Sequence, residues 1–189
     1  MTTKQLKESP SQTAGPYVHI GCTPNFAGVT GVYATDPGAA MLTDAVDGER
    51  ITITGTVFDG QHAPLTDALI EIWQADATGK FGETNTEFTG WGRCPADQST
   101  GAWRFDTIRP GPPDDGAAHI TFWIVARGIN VGLHTRMYFP DDPGLDRDPW
   151  LALVGEARRE TLIAKPVCKG HLQFDIHLQG PSETVFFDA

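Results

Sequence analysis

The chain has 189 residues, of which 40% are hydrophobic and 20% are charged, a composition that is ordinary for one soluble globular domain. Its formal net charge of −10 and the absence of any Lys/Arg run argue against nucleic-acid binding and against electrostatic attachment to a membrane. The three cysteines are widely spaced and form no C-x-x-C pattern, so they predict neither a disulfide framework nor a zinc site.

The N-terminus gives an expectation about location. Residues 1–15 contain no apolar core of the signal-peptide type, and no later segment is long and apolar enough to span a bilayer. We therefore expect a cytoplasmic protein.

Residues 1–48 predict an N-terminal arm with loops. The segment is rich in Gly, Pro, Thr, Ala and Asp, and the stretch SPSQTAGPYVHIG has the prolines and glycines that typify loops. It also contains Tyr17, Val18 and Ile20, which are more apolar than a solvated tail requires. We therefore expect the arm to pack on another surface.

From residue 50 the pattern is that of strands. RITITGTVF alternates isoleucine and valine with threonine, as a half-buried strand does. Further strands are predicted, in chain order, at DALIEIWQA, GAWRFDTI, AHITFWIVAR, LHTRMYF, ETLIAKPV and HLQFDIHLQG. AHITFWIVAR is apolar on both faces, so it should lie centrally. The fold class is all-β: an antiparallel β-sandwich of about seven or eight strands over residues 49–189, with one short helix near DPWLALVGEARR.

Side chains on one face of the strand AHITFWIVAR raise the question of a metal site. His119, Thr121 and Arg127 share that face because successive side chains in a strand alternate. A His-x-His pair would make a good metal clip, but Thr121 occupies the second position. A histidine on a β face is more often a hydrogen-bonded structural residue than a ligand.

Familiar catalytic motifs are missing from the chain. There is no G-x-S-x-G elbow, P-loop, G-x-G-x-x-G or H-E-x-x-H. The six histidines are scattered without metal-ligand spacing: His19, His62, His119, His134, His171 and His177. The residues alone therefore predict an acidic β-sandwich with an N-terminal arm, and they do not indicate a particular reaction.

Several linked segments resemble the intradiol ring-cleaving dioxygenases, and they occur in the family's order. SPSQTAGPYVHIG is similar to the N-terminal signature of the family, ALIEIWQADATGKF to its Leu-x-x-Trp-Gln-Ala strand, and GAWRFDTIRPGPP to its Phe-x-Thr-Ile-x-Pro-Gly-Pro-Tyr segment. AAHITFWIVARGINVGLHTRMYFPDD resembles its Pro-Ala-His-Ile-His strand and the strand after it. RRETLIAK and GPSETVFFD extend the likeness to nearly the whole chain.

The family holds Fe(III) with two tyrosinates and two histidines, and this chain departs from that set. Phe81 and Pro113 stand where the resemblance places the tyrosines, His119 matches the first histidine, and Thr121 replaces the second. Phe and Pro side chains have no donor atom, and a neutral Thr hydroxyl is a poor substitute for imidazole. The resemblance therefore implies that this chain binds no metal and that His119 is a lone remnant, kept by packing or a hydrogen bond.

The likeness is greatest to the iron-free α-type chains of heteromeric family members. It implies a β subunit as partner, which binds the Fe(III), and a higher-order αβ oligomer with protocatechuate and O2 as substrates. Cleavage between the two hydroxylated carbons would give 3-carboxy-cis,cis-muconate, a step of the β-ketoadipate pathway of aromatic catabolism. This chain alone would be inactive, and its arm, residues 1–48, would pack on the partner.

The resemblance also implies that Thr13, Tyr17 and Arg127 contribute to the substrate pocket of the β subunit. A guanidinium can pair with the ring carboxylate of protocatechuate. Each residue also fits an ordinary structural role: Arg127 as a surface arginine at a strand end, Tyr17 as an apolar anchor, and Thr13 as a turn-capping residue.

Two other functions remain open. The chain could be a non-catalytic β-sandwich binding or scaffold module descended from the family, although a free module would have no reason to keep Arg127. It could also be a stand-alone intradiol enzyme with other ligands, but Tyr17, Tyr33 and Tyr138 are its only tyrosines and none lies at a ligand position.

Overall fold

The computed structural model describes residues 12–82 and 87–188, so the first eleven residues of the predicted arm lie outside the described residues. The described chain forms nine strands: β1 (Arg50–Phe58), β2 (Leu69–Gln74), β3 (Trp91–Pro95), β4 (Ala102–Ile108), β5 (His119–Val125), β6 (Leu133–Tyr138), β7 (Lys165–Cys168), β8 (His171–Gln173) and β9 (Ile176–His177). Short α-helices are α1 (Pro16–Cys22), α2 (Pro149–Ala152) and α3 (Glu156–Arg159), with 3-10 turns at Leu145–Arg147 and Glu160–Leu162.

The strands form two sheets, which confirms the predicted all-β sandwich. One sheet has the order β4-β1-β8-β7, with β9 beside the end of β1, and the other has the order β3-β2-β5-β6. Most neighbours are antiparallel, but β8 and β9 pair with β1 in parallel.

The core lies between the sheets because the strand sequences alternate. In β1, Ile51, Ile53, Gly55 and Val57 are buried, while the residues that alternate with them are more exposed. β5 contributes Ile120, Phe122 and Ile124, all fully buried. It lies between β2 and β6, as its apolar composition predicts.

Gly55 shows how closely the chain packs around β1. A Cβ atom at this position would collide with the carbonyl group of Phe174 and with the ring of Trp103. Glycine is therefore required here by the close approach of a neighbouring backbone rather than by a turn.

One strand was not predicted, and one predicted strand is shorter. β3 contains Gly92 and Pro95, which resemble loop residues, yet it pairs with β2 over its whole length. A Cβ atom at Gly92 would collide with the Met41 side chain, so glycine lets Met41 reach the core. The predicted strand ETLIAKPV begins as a 3-10 turn, and only its end from Lys165 is a strand.

Short helical structure near DPWLALVGEARR is confirmed, but the prediction of a single helix is wrong. The segment DPWLALVGEARR forms two helices, α2 and α3, because Gly155 interrupts it in an extended conformation. A further helix, α1, begins at Pro16, whose fixed backbone angle suits the first position of a helix. No helix within residues 12–82 and 87–188 has the length and apolar character needed to cross a membrane.

The described part of the arm contacts the sandwich of its own chain. Met41 and Val46 are buried in the main core. Arg93 Nη1 on β3 donates a hydrogen bond to the Cys22 carbonyl at 3.1 Å, and His19 Nε2 lies 3.0 Å from the Asp67 carbonyl. The division of the chain at residue 48 and the packing of the arm on a partner stay predictions.

We expect Phe122→Ala to lower the free energy of unfolding by about 3–5 kcal/mol. The Phe122 ring is fully buried, with ring centroids 5.5 Å from Trp103 and 5.3 Å from Phe174, so truncation leaves a cavity between the sheets. Urea denaturation measures the loss. The matched control is Val131→Ala, at a side chain that is 66% exposed, where the change should stay within about 0.5 kcal/mol. Equal losses in the two variants would contradict this description of the core.

Candidate functional site

Two clefts lie near opposite ends of β5. His119 begins the strand, and Arg127 follows its last residue by two positions. The strand itself, seven residues long, spans roughly 20 Å between them. The first cleft contains the positions matched to iron ligands, and the second contains one of the predicted pocket residues, Arg127.

The first cleft, here called the sheet cleft, brings the four ligand-matched positions together. Phe81, Pro113, His119 and Thr121 line one open cleft of about 360 Å³, although they come from three separate segments of the chain. Its other walls include Trp73, Arg136 and Trp150.

Strand register explains part of this arrangement. Thr121 on β5 is paired with Trp73 on β2 and with Arg136 on β6, so the three side chains form a row across the outer face of the sheet. His119 lies two residues before Thr121 on the same face, opposite Tyr138. The neighbouring positions Ile120 and Phe122 point into the core.

His119 is held in one tautomer. Its Nδ1 lies 2.9 Å from the Ala117 carbonyl, which can only accept, so Nδ1 carries the proton. Burial lowers the pKa of His119, and the nearby positive charge of Arg136 lowers it further, while the hydrogen bond to Ala117 opposes the shift. The ring is therefore neutral at neutral pH, and its Nε2 is left as an acceptor without a hydrogen-bond partner among the described residues.

The buried carboxylate of Asp148 positions α2, which forms one wall of the sheet cleft. Asp148 caps α2 by accepting hydrogen bonds from the backbone N–H groups of Trp150 and Leu151, at 3.0 and 2.9 Å. It also accepts from the Tyr138 hydroxyl at 3.0 Å and from the Ala117 N–H at 3.0 Å. Four donors therefore satisfy this buried charge, which ties α2 to β6 and to the start of β5. Burial and the Asp148 charge raise the pKa of Tyr138, so its hydroxyl stays protonated.

The side chains of the sheet cleft do not fit ferric iron. Phe81 and Pro113 offer no donor atom, and Thr121 offers a neutral hydroxyl. Tyr138, whose ring lies beside that of His119, is kept protonated and donates a hydrogen bond to Asp148. Within residues 12–82 and 87–188, no three His, Cys, Asp or Glu side chains are placed to share a metal ion.

The second cleft, here called the arm cleft, lies between the arm and the end of β5. It has a volume of about 220 Å³ and is lined by Ala14, Gly15, Pro16, Val18, His19, Asp67 and Arg127. Thr13 Oγ1 accepts a hydrogen bond from the Gly128 N–H at 2.6 Å. The structure thus brings two of the predicted pocket residues, Thr13 and Arg127, to the same place, 114 positions apart in the sequence.

Tyr17, the third predicted pocket residue, is placed differently. Its side chain is 84% exposed on α1, and it makes no hydrogen bond or ring contact within the described part of the chain. It belongs to a run of exposed apolar side chains along the arm: Tyr17, Ile20, Phe26, Val29, Val32 and Tyr33. Such a concentration of exposed apolar groups is typical of an interaction surface.

Sequence reasoning missed several residues of both clefts. Arg136 lies on the same face as Thr121, and the alternation in LHTRMYF together with the strand pairing would have placed it there. Trp150 reaches the sheet cleft only because Asp148 positions α2, and no periodicity shows this. Asp67 lies 3.4 Å from Arg127 Nε because each residue is two positions beyond the Leu69–Val125 pair of β2 and β5, and this pairing between distant segments leaves no local signal.

Comparison with known proteins identifies relatives of the whole chain. A family model described as dioxygenase matches residues 23–180. The protocatechuate 3,4-dioxygenase alpha chain of Pseudomonas putida is 40% identical over 202 aligned positions that cover all of both chains. The beta chain of the same enzyme from Burkholderia cepacia is 36% identical, over 72% of this chain and 67% of that one. Among solved structures, the dioxygenase domain of a dioxygenase–carbohydrate-binding fusion from Streptomyces sp. SirexAA-E matches with a TM-score of 0.59 and 25% identity, covering 94% of this chain and 100% of that one.

The neutral state of His119 predicts a pH dependence of stability. Its pKa is lowered in the folded state, whereas a histidine in the unfolded chain titrates near 6.5. As the pH falls through about 6.5, the unfolded state binds a proton that folded His119 resists, so the free energy of unfolding decreases. His119→Asn, which keeps a donor near the Nδ1 position, should make the decrease between pH 7 and 5 less steep.

The matched control is His62→Asn. His62 is exposed and has a positive φ of 59°, which asparagine tolerates, so its replacement should leave the slope unchanged. Urea unfolding at several pH values measures each slope. If His119→Asn and the unchanged protein had the same slope, the assignment of a neutral, buried His119 would be wrong.

Proposed function

Because the chain belongs to the intradiol ring-cleavage dioxygenase family, we propose that it serves as the alpha chain of a heteromeric protocatechuate 3,4-dioxygenase. Its role is to complete the substrate pocket of an iron-bearing beta chain. The assembly cleaves protocatechuate with O2 between the two hydroxylated carbons and yields 3-carboxy-cis,cis-muconate.

The main support for this proposal is the likeness to an alpha chain over the full length of both proteins. A scaffold module that retained only the fold would be expected to match its relatives over the sandwich and to diverge in the arm. The partial likeness to a beta chain of the same enzyme fits two chains of common ancestry that divided their functions.

The iron that is typical of this family belongs, in this proposal, to the beta chain. The sheet cleft supports this division, because its side chains lack the donors that ferric iron needs. This chain then contributes binding groups and shape to the partner pocket, and the metal chemistry takes place on the other chain.

Arg127 is the group best suited to bind substrate. Its side chain is 81% exposed, and its ion pair with Asp67 has an Nε–Oδ2 distance of 3.4 Å. The two terminal nitrogens donate no hydrogen bond to a described residue, so they remain available for a bidentate bond to a carboxylate. An exposed pair of this kind contributes little to stability, so substrate can replace Asp67 at small cost.

Thr13 and Tyr17 have supporting parts in this proposal. The hydrogen bond between Thr13 Oγ1 and the Gly128 N–H fixes the arm beside Arg127, and the arm residues that follow Thr13 line the arm cleft. Tyr17 projects from α1 into solvent, where it can reach across to the beta chain together with the other exposed apolar side chains of the arm.

The Arg127→Ala variant of the heteromer tests the proposal. Loss of a hydrogen-bonded charge pair should lower kcat/KM for protocatechuate by about 10- to 100-fold. Turnover of catechol, which has no ring carboxylate, should change much less. Steady-state oxygen uptake with the two substrates measures the difference.

The matched control is Arg104→Ala, because Arg104 is an exposed strand arginine paired with Asp106 and lines neither cleft. It should leave both substrates unaffected. Equal losses for protocatechuate and catechol in Arg127→Ala would remove the carboxylate-binding role. No loss for either substrate would favour a scaffold function.

A further inference from the structure

Among the residues that the structure describes, a cation in the sheet cleft, Arg136, has no counter-ion. The Arg136 side chain is half-buried on β6, and no carboxylate oxygen lies within 4.0 Å of its guanidinium in the described part of the chain. Two other half-buried arginines, Arg93 on β3 and Arg109 after β4, form ion pairs with Glu71 and Asp141, both at 2.7 Å. Arg136 therefore differs from its neighbours in lacking an anion.

The other charges of the cleft do not neutralise Arg136. Asp148 is buried and already accepts four hydrogen bonds from other groups. Asp115 is exposed at the rim, and His119 is neutral. Among the residues that line the cleft, Arg136 is the one cation.

Aromatic rings line the cleft together with this cation. The Arg136 guanidinium lies over the Trp150 ring, 4.1 Å from its centroid. Trp73 lies in the same cross-strand row as Arg136 and is 41% exposed, and Phe81, which also lines the cleft, is 39% exposed. Large exposed rings that share a cleft with a cation offer apolar surfaces to a flat ligand.

We propose that the sheet cleft binds a small aromatic carboxylate, with the carboxylate on Arg136 and the ring against Trp73 and Phe81. The volume of about 360 Å³ suffices, since a cavity of about 150 Å³ holds benzene. This site is separate from the arm cleft and serves binding rather than catalysis. It goes beyond the proposed function and does not depend on it.

Isothermal titration of the purified full chain with 4-hydroxybenzoate tests this inference. We expect saturable binding at one site, and binding of the uncharged analogue 4-hydroxybenzamide at least about tenfold weaker, because it cannot form the charged pair. No saturable heat at millimolar 4-hydroxybenzoate would overturn the proposal, as would equal affinity for the amide.

Three arginine variants locate the site. Arg136→Gln should weaken 4-hydroxybenzoate binding at least about tenfold, while Arg104→Gln, at an exposed arginine of the other sheet, should leave it unchanged. If Arg127→Gln removes the binding and Arg136→Gln does not, the ligand occupies the arm cleft and the inference is wrong.

A fourth variant tests the same site independently, in case Arg136→Gln disrupts the fold. Trp73→Leu changes an exposed ring of the cleft without altering any charge, so the fold should be retained, as urea denaturation can verify. It should also weaken 4-hydroxybenzoate binding, by removing the ring contact. Unchanged affinity in Trp73→Leu would contradict the proposed position of the ligand.

These binding measurements use this chain alone and measure no turnover. A negative result would therefore be distinguishable from a failure of the proposed alpha-chain function.

Discussion

The alternation of side chains along β5 is the constraint on which both clefts depend. Since β5 lies between β2 and β6, one of its faces must be buried in the core, and Ile120, Phe122 and Ile124 occupy that face. His119 and Thr121 are thereby fixed on the outer face. Arg127 comes two residues after the strand ends, where the chain turns and a side chain can reach solvent. A shift of one residue in the pairing of β5 would exchange the two faces and disrupt the core and both clefts together.

The sheet cleft keeps its shape without a full set of metal ligands. Its walls stay in place because their support is independent of any metal: strand pairing fixes Thr121 and Arg136, and the Asp148 carboxylate fixes α2. The cleft is a partly apolar surface in which the Arg136 guanidinium has no carboxylate partner among the described residues. Burial of the neutral His119 costs little, because its Nδ1 is bonded to a backbone carbonyl.

The sequence predicted the sandwich well because the period of a strand is local information. β1 has the predicted bounds, and the central position of β5 followed from its two apolar faces. β3 was missed because its pairing depends on β2 and on the room that Gly92 leaves for Met41, which are contacts between distant segments. Contacts between distant segments also explain why the sequence did not predict the arrangement of the site. The resemblance named Phe81, Pro113, His119 and Thr121 singly, and only the structure shows that they meet in one cleft with Arg136 and Trp150.

In the proposed function, the partner chain binds the metal and this chain contributes groups to the substrate pocket. The most direct test of this proposal is the iron content of the chain purified alone, compared with that of the complex obtained by co-expression with its beta chain. We expect the chain alone to be colourless, iron-poor and inactive, and the complex to be active with one iron per pair of chains. Stoichiometric iron with tyrosinate-to-iron charge-transfer absorption in the chain alone would contradict the account, as would failure of the two chains to copurify.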